Sequence, residues 1–299
     1  MRPQVGEKRD DPAGDLAIAP TWLARGMAHP GVSRYADADG IALHYLEWGS
    51  ADGGQPGLLF VPGYRAHTRW WDFIAPIFAE RFHVVVMELS GMGDSGRRAE
   101  YRPADFAEDI ATVVRHSGLR RPVGIGHSYG GSRLLRACGK HPRLFERAIV
   151  VDSYVHFADQ GPLPEYPRLG SRRAHPTREA ALARFRLSPE QPIAHPALAQ
   201  YLAEGSVRAI ETGWTWKFDL ELPGGGPTEV DGAAILARVQ IPVHLVWGEH
   251  SRVVNENCMR RVAATLPIKH EPIMVSEAHH HLMLDQPIVT IGILQALLA

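Results

Sequence analysis

The chain is predicted to fold as an α/β protein. It should have a mostly parallel sheet covered by helices on both faces, and a helical insertion after its midpoint. Three observations predict this. Short, near-continuous apolar runs recur along the 299 residues, helical patterns fall between them, and the alternation stops once, over about residues 156–230, before it resumes. A strand buried on both faces reads as an unbroken apolar run because neither side meets water.

Taken in order, residues 1–32 are rich in Pro, Gly, Asp and Ala and read as a loosely held arm. The run Ile41–Trp48 instead alternates, with Ile41, Leu43 and Tyr45 apolar around Ala42 and His44, which suits an edge hairpin leading into the sheet. Buried strands are expected at Leu58–Val61, His83–Leu89, Val123–Gly126, Ala148–Val151, Val243–Trp247 and Pro272–Val275. Helices are expected at Trp70–Glu80, Pro103–His116, Tyr129–Cys138, Asn255–Leu266 and Ile288–Leu298. The core thus spans 33–155 and resumes over 231–299.

Between Phe157 and Gly232 no buried-strand pattern is seen, and seven prolines lie between residues 160 and 200. Helical stretches remain at Thr177–Arg186 and Ala197–Glu211, so 156–230 reads as a helical lid. Leu222–Pro227 would be its exit linker. Trp214, Trp216 and Phe218 argue against a disordered loop, which would be poor in aromatics.

Composition narrows the function. Hydrophobic residues are 45% and charged residues 22%, and the net charge is −1, so no whole-molecule field recruits nucleic acid or an anionic membrane. No 18-residue apolar run is available to span a bilayer, and the first 20 residues lack the apolar stretch of a secretory signal. The two cysteines, Cys138 and Cys258, cannot form a disulfide framework, and a reducing cytoplasm is the expected home. Neither a phosphate-binding loop nor a dinucleotide fingerprint occurs, so no nucleotide cofactor is expected.

The chemistry concentrates at Gly126-His127-Ser128-Tyr129-Gly130, which follows an apolar run and opens a helical pattern. A G-x-S-x-G segment in that setting is a strand–turn–helix elbow. Its small residues let strand and helix approach while the serine stands exposed at the turn. A serine hydroxyl is a poor nucleophile at neutral pH and needs a base, which in turn needs an orienting acid. The C-terminal stretch Glu277–Pro287 offers three adjacent histidines. Adjacent residues in an extended segment cannot all face one ion, so no metal is expected there. The Gly93–Gly96 run contains a second serine, but no helix follows at once, and it reads as a structural turn.

With these motifs the chain resembles the α/β-hydrolase superfamily, in its lidded serine hydrolase and esterase subgroup. Four segments carry the likeness: Val61-Pro62-Gly63-Tyr64, Glu88–Gly96, the GHSYGG elbow and HHLMLDQP. The resemblance implies that Ser128 is the nucleophile and His280 the base, because Pro287 lies seven residues beyond His280. His279 stands where relatives have glycine, and a shift of one residue would select His279 or His281. Relatives usually carry the acid three residues after a glycine that follows the penultimate strand; here that position is Ser251, which has no charge. Some members take the acid from the end of the preceding strand, which points to Asp152, with Ser251 as a supporting hydrogen-bond partner. Glu249 is the alternative and Asp285 a remote one.

The likeness also implies an oxyanion hole from the backbone amides of Tyr64 and Tyr129. Trp70, Trp71, Tyr154, Trp214 and Trp216 would border the substrate, although each has packing as an equal explanation. Arg172, Arg173, Arg178, Arg184 and Arg186 read as a solvated helix face. The function implied is hydrolysis of a small apolar or aromatic carboxylic ester, with no cofactor or metal. A lactone, a thioester, a carbon–carbon bond and a ligand-binding role stay open, as does a homodimer. Epoxide hydrolysis and dehalogenation are disfavoured, because those relatives carry Asp where this chain has Ser128.

Overall fold

A computed structural model of the protein describes residues 21–163, 174–226 and 231–299. Its eight-stranded sheet has the order β1-β2-β4-β3-β5-β6-β9-β10. The strands are β1 (Val32–Ala38), β2 (Ile41–Trp48), β3 (Gly57–Val61), β4 (His83–Met87), β5 (Val123–His127), β6 (Arg147–Val151), β9 (Val243–Gly248) and β10 (Ile273–Val275). β1 and β2 form the expected antiparallel edge hairpin, β2 runs antiparallel to β4, and every other pairing in this sheet is parallel.

Period-two geometry explains the unbroken apolar runs. In β3, Leu58 and Phe60 enter one core while Leu59 and Val61 enter the other. β4 divides Val84 and Val86 from Val85 and Met87 in the same way, and β6 divides Ile149 and Val151 from Ala148 and Val150. The helices α2 (Pro103–His116), α3 (Tyr129–Lys140), α6 (Ala233–Leu236) and α7 (Glu256–Thr265) cover the first core; α1 (Thr21–Met27) and α9 (Pro287–Leu297) cover the second. On the α3 side β5 carries only glycine. A Cβ at Gly126 would stand 2.6 Å from Gly131 Cα, so the helix seats directly on the strand that feeds the elbow.

Several expectations need correction. The arm reading fails over 21–32: α1 forms there and buries Leu23, and β1 begins at Val32. Residues 1–20 lie outside the described part. The helix expected at Trp70–Glu80 is instead two 3-10 turns, Thr68–Trp70 and Ala75–Phe78. Pro76 has no N–H to give to a preceding carbonyl, which disfavours a continuous α-helix. Between β6 and β9 lie α4 (Arg178–Leu182), α5 (Pro196–Gly205) and a hairpin of β7 (Val207–Ile210) with β8 (Gly213–Trp216). The helical reading of Ala197–Glu211 therefore stops at Gly205. Beyond it Val207 faces Trp216 across the hairpin, and this cross-strand pair buries area that a lone helical turn would leave exposed. Pro223 O accepts a hydrogen bond from Tyr64 Oη at 2.6 Å, so the described part of the expected exit linker packs on the core. Arg172, Arg173 and the end of that linker at Pro227 lie outside the described residues.

Candidate active site

Ser128 stands between β5 and α3 with φ 53° and ψ −124°, a left-handed conformation that L residues avoid. Its amide donates to Val151 O at 2.8 Å and its carbonyl accepts from Ser153 Oγ at 2.7 Å, so the turn is clamped from β6. The side chain remains half-buried.

His280 lies just before α8 (Leu282–Asp285). Ser128 Oγ and His280 Nε2 are 2.9 Å apart, and His280 Nδ1 meets Asp152 Oδ1 at 2.7 Å. Asp152 is fully buried at the end of β6, itself at φ 47°. Parallel pairing of β6 with β9 brings it beside Gly248, whose amide donates to Asp152 Oδ2 at 2.9 Å. Ser251 Oγ donates to Oδ1 at 2.7 Å and in turn accepts the amides of Val253 and Val254. The carboxylate that orients His280 therefore has donors on both oxygens.

The alternatives are engaged elsewhere. Glu249 is exposed and accepts the Glu277 amide at 3.1 Å. His279 Nδ1 lies 3.2 Å from Asp285 Oδ2, which also takes the His279 amide. His281 is buried against Trp70, ring centroids 4.8 Å apart.

Gly63 brings the loop after β3 against Ser128: a Cβ there would be 3.4 Å from Ser128 Cβ. This sets Tyr64 beside the elbow. Tyr129 opens α3, where an amide has no preceding helical carbonyl to bond. The rings of Tyr64 and Tyr129 pack on each other at 5.4 Å, and it is the backbone of both residues that the oxyanion reading uses.

The five aromatic residues do not form one wall. Trp70 flanks His281, and fully buried Trp71 packs on Phe60 and edge-on to His127. Tyr154 lines a small, shallow pocket with Ser132, His156 and Leu236. Trp214 and Trp216 are corrected from pocket to packing: they belong to a small core with Ala181 and Val207 inside the β6–β9 insertion, and Trp216 stacks on Phe218. The GDSG run is structural. Ser95 Oγ donates to Glu88 O, and buried Glu88 takes Thr68 N, Asp94 N and the His44 ring. Burial works to raise the Glu88 pKa, but the His44 bond and charge and the Thr68 amide outweigh it and hold it at about 2.

Three contributors had no signal in the sequence. His127 Nε2 donates to His280 O at 2.9 Å, tying the elbow to the histidine loop. Gln191, in the insertion, accepts the His281 amide at 2.8 Å and donates to Asp285 Oδ1 at 2.9 Å. Asp72 Oδ2 accepts from Tyr201 Oη of α5 at 2.7 Å. Burial holds His127 and His281 well below the usual histidine range, so both rings are neutral at pH 7.

The family model for the alpha/beta hydrolase family matches residues 58–291, and the chain belongs to that family. It is 29% identical over 130 residues to a soluble epoxide hydrolase of Corynebacterium sp. (strain C12), covering 42% of this chain and 44% of that protein. It is 31% identical over 106 residues to a bifunctional esterase/perhydrolase of Acinetobacter calcoaceticus, covering 35% and 38%. Each match thus spans less than half of the relative's length. Among solved structures, E-2-(acetamidomethylene)succinate hydrolase superposes with a TM-score of 0.72 at 20% identity, over 90% of this chain and 98% of that one, which is a likeness of fold. Among the described residues no helix is long and apolar enough to cross a membrane.

Proposed function

We propose that the chain is a serine hydrolase, needing no metal for its reaction, that acts on a small apolar or aromatic carboxylic ester. The observation that carries this reading is the hydrogen-bonded series from Ser128 Oγ through His280 to Asp152, at 2.9 and 2.7 Å. His280 Nε2 takes the Ser128 proton as Oγ attacks the ester carbonyl. Asp152 holds Nδ1–H, fixes the tautomer and stabilises the imidazolium that forms. The Tyr64 and Tyr129 amides receive the oxyanion; losing one such donor typically costs about 3 kcal/mol in the transition state. His280 then returns the proton to the leaving alcohol, and water, deprotonated by the same ring, releases the acyl group.

The insertion between β6 and β9 acts as a lid in this reading. It is tied to the core by Tyr201–Asp72 and by Gln191 at the histidine loop. The acetyl or aryl part of the substrate would pass beside Trp70. The relatives include both an epoxide hydrolase and an esterase/perhydrolase, and serine at position 128 is what favours an ester over an epoxide. A reducing cytoplasm remains the proposed setting.

The test is reaction with a fluorophosphonate probe together with turnover of p-nitrophenyl esters of graded acyl length. Wild type should label and turn over, and Ser128→Ala should do neither. Folded wild-type protein that stays unlabelled would favour a ligand-binding role instead. Lactone and thioester panels in the same assay decide the bond.

A further inference from the structure

We propose that His127, His280 and His281 form a site for a divalent transition-metal ion that prefers imidazole, of which zinc is the type, and that its occupation switches Ser128 off. The three rings are buried, with centroids 4.8, 5.4 and 4.7 Å apart. One ring nitrogen from each lies within 4.8 Å of those of the other two. The objection that neighbours in an extended segment face apart does not apply to His280 and His281, whose ring centroids lie 4.7 Å from each other, and the third ring comes from 153 positions away.

The hydrogen bonds already select ligating tautomers. His280 gives its Nδ1–H to Asp152, so Nε2 carries the lone pair. A carboxylate behind a histidine is the usual support of a metal-bound imidazole, because it fixes the ring and raises its basicity. His127 gives Nε2–H to the His280 carbonyl, so Nδ1 carries its lone pair. Beside that nitrogen the space a side chain would take is open at Gly63, where a Cβ would stand 3.3 Å away. The backbone of Ser188 is a hydrogen-bonding neighbour of one His281 ring nitrogen, at a geometry short of a full bond, so at least one nitrogen of this buried ring has no partner among the described residues. An unpartnered buried imidazole is a costly group to keep, and a ligand that it can bind removes the cost.

Tetrahedral zinc holds each nitrogen at about 2.0–2.1 Å, which sets the nitrogens about 3.3 Å apart. The rings must therefore draw together, and His281, which has the fewest hydrogen-bond constraints of the three, is the ring to move. Ser128 is less buried than the three rings, so its side is the one from which water would complete the coordination. The other groupings of histidine with carboxylates are less suited. Glu88 and His44 are already bonded to each other and to backbone amides, and Glu249, His250 and Glu277 are exposed.

Inhibition follows from the shared atom. His280 Nε2 has one lone pair, and the metal and the Ser128 hydroxyl proton compete for it. A bound ion leaves the hydroxyl without its base. Metal binding does not itself depend on catalysis; the switch rests on the function proposed above, and the two are measured separately.

Zinc chloride is titrated by calorimetry into wild type, Ser128→Ala, His281→Phe and His279→Ala, each shown by thermal melting to be folded. Fluorophosphonate labelling and ester turnover are followed with zinc, with zinc plus EDTA, and with magnesium. Wild type should bind one zinc, and Ser128→Ala should bind it at least as tightly, because the competing proton is gone. His281→Phe keeps the packing on Trp70 and should bind at least tenfold more weakly. His279→Ala, outside the cluster, should bind like wild type. Zinc should suppress labelling and turnover, EDTA should restore them, and magnesium, which prefers oxygen ligands, should have no effect. Equal affinity in His281→Phe, or a loss in His279→Ala instead, overturns the site. Binding that needs His281 but leaves labelling intact overturns the switch. Protein that never labels refutes the hydrolase reading while calorimetry still decides the site.

Discussion

At residue scale, the candidate site stores strain and buried charge in named positions. Ser128 and Asp152 both hold positive φ. Ser128→Gly relieves the first, so the variant should melt above wild type by the equivalent of about 1 kcal/mol while losing labelling. Asp152 carries the orientation of His280. Asp152→Asn should lower kcat at least a hundredfold, about 2.7 kcal/mol in the barrier, while exposed Glu249→Gln changes it little. The reverse ranking in steady-state kinetics would displace Asp152 from the proposed role. Asp72 offers a test in pH. Burial raises its pKa to about 7 against a Tyr201 bond that lowers it. The folded state therefore holds a proton that the unfolded chain has released above about pH 4, and this stabilisation is present at low pH and lost as pH rises through 7. Asp72→Asn should raise the melting temperature more at pH 8 than at pH 5; equal shifts at both would refute the buried-acid account.

At the scale of elements, the site is made by strand ends. β5 ends at Ser128 and β6 at Asp152, while β9 supplies the Gly248 amide and the turn bearing Ser251. The histidine loop runs from β10 to α8 and is bonded to the turn after β9. Its histidines are further tied to His127 on one side and to Gln191 of the insertion on the other. Gln191→Leu leaves the buried His281 amide and Asp285 Oδ1 without partners. It should cost about 1–3 kcal/mol of stability and lower kcat more than it alters KM. Melting and kinetics on the same preparation check this, and an unchanged kcat would mean that the insertion does not steer the loop.

At the scale of the whole molecule, two large cores lie on the two faces of one sheet, and a third, small one lies within the insertion. The fold was legible because burial on both faces writes continuous apolar runs, and β3, β4, β6 and β9 follow them. The small core was not, since β7 and β8 are four residues each, with exposed residues on β7, and pair only with each other. Their few buried contacts predict early opening: hydrogen exchange should free the β7–β8 amides well before those of β3, β5 and β6. Protection of the hairpin equal to that of the sheet would show that the insertion unfolds only with the core.

The amino-acid order by itself determined the alternating α/β architecture, the elbow around Ser128 and the short list of histidines and carboxylates near it, because those follow from local periodicity and turn chemistry. Only the tertiary structure decided which of those groups meet. Asp152 rather than Glu249 lies beside His280 because β6 and β9 are neighbours in the sheet. His127 reaches the His280 carbonyl across 153 positions. Contacts of that range depend on strand order and packing, and no local pattern encodes them.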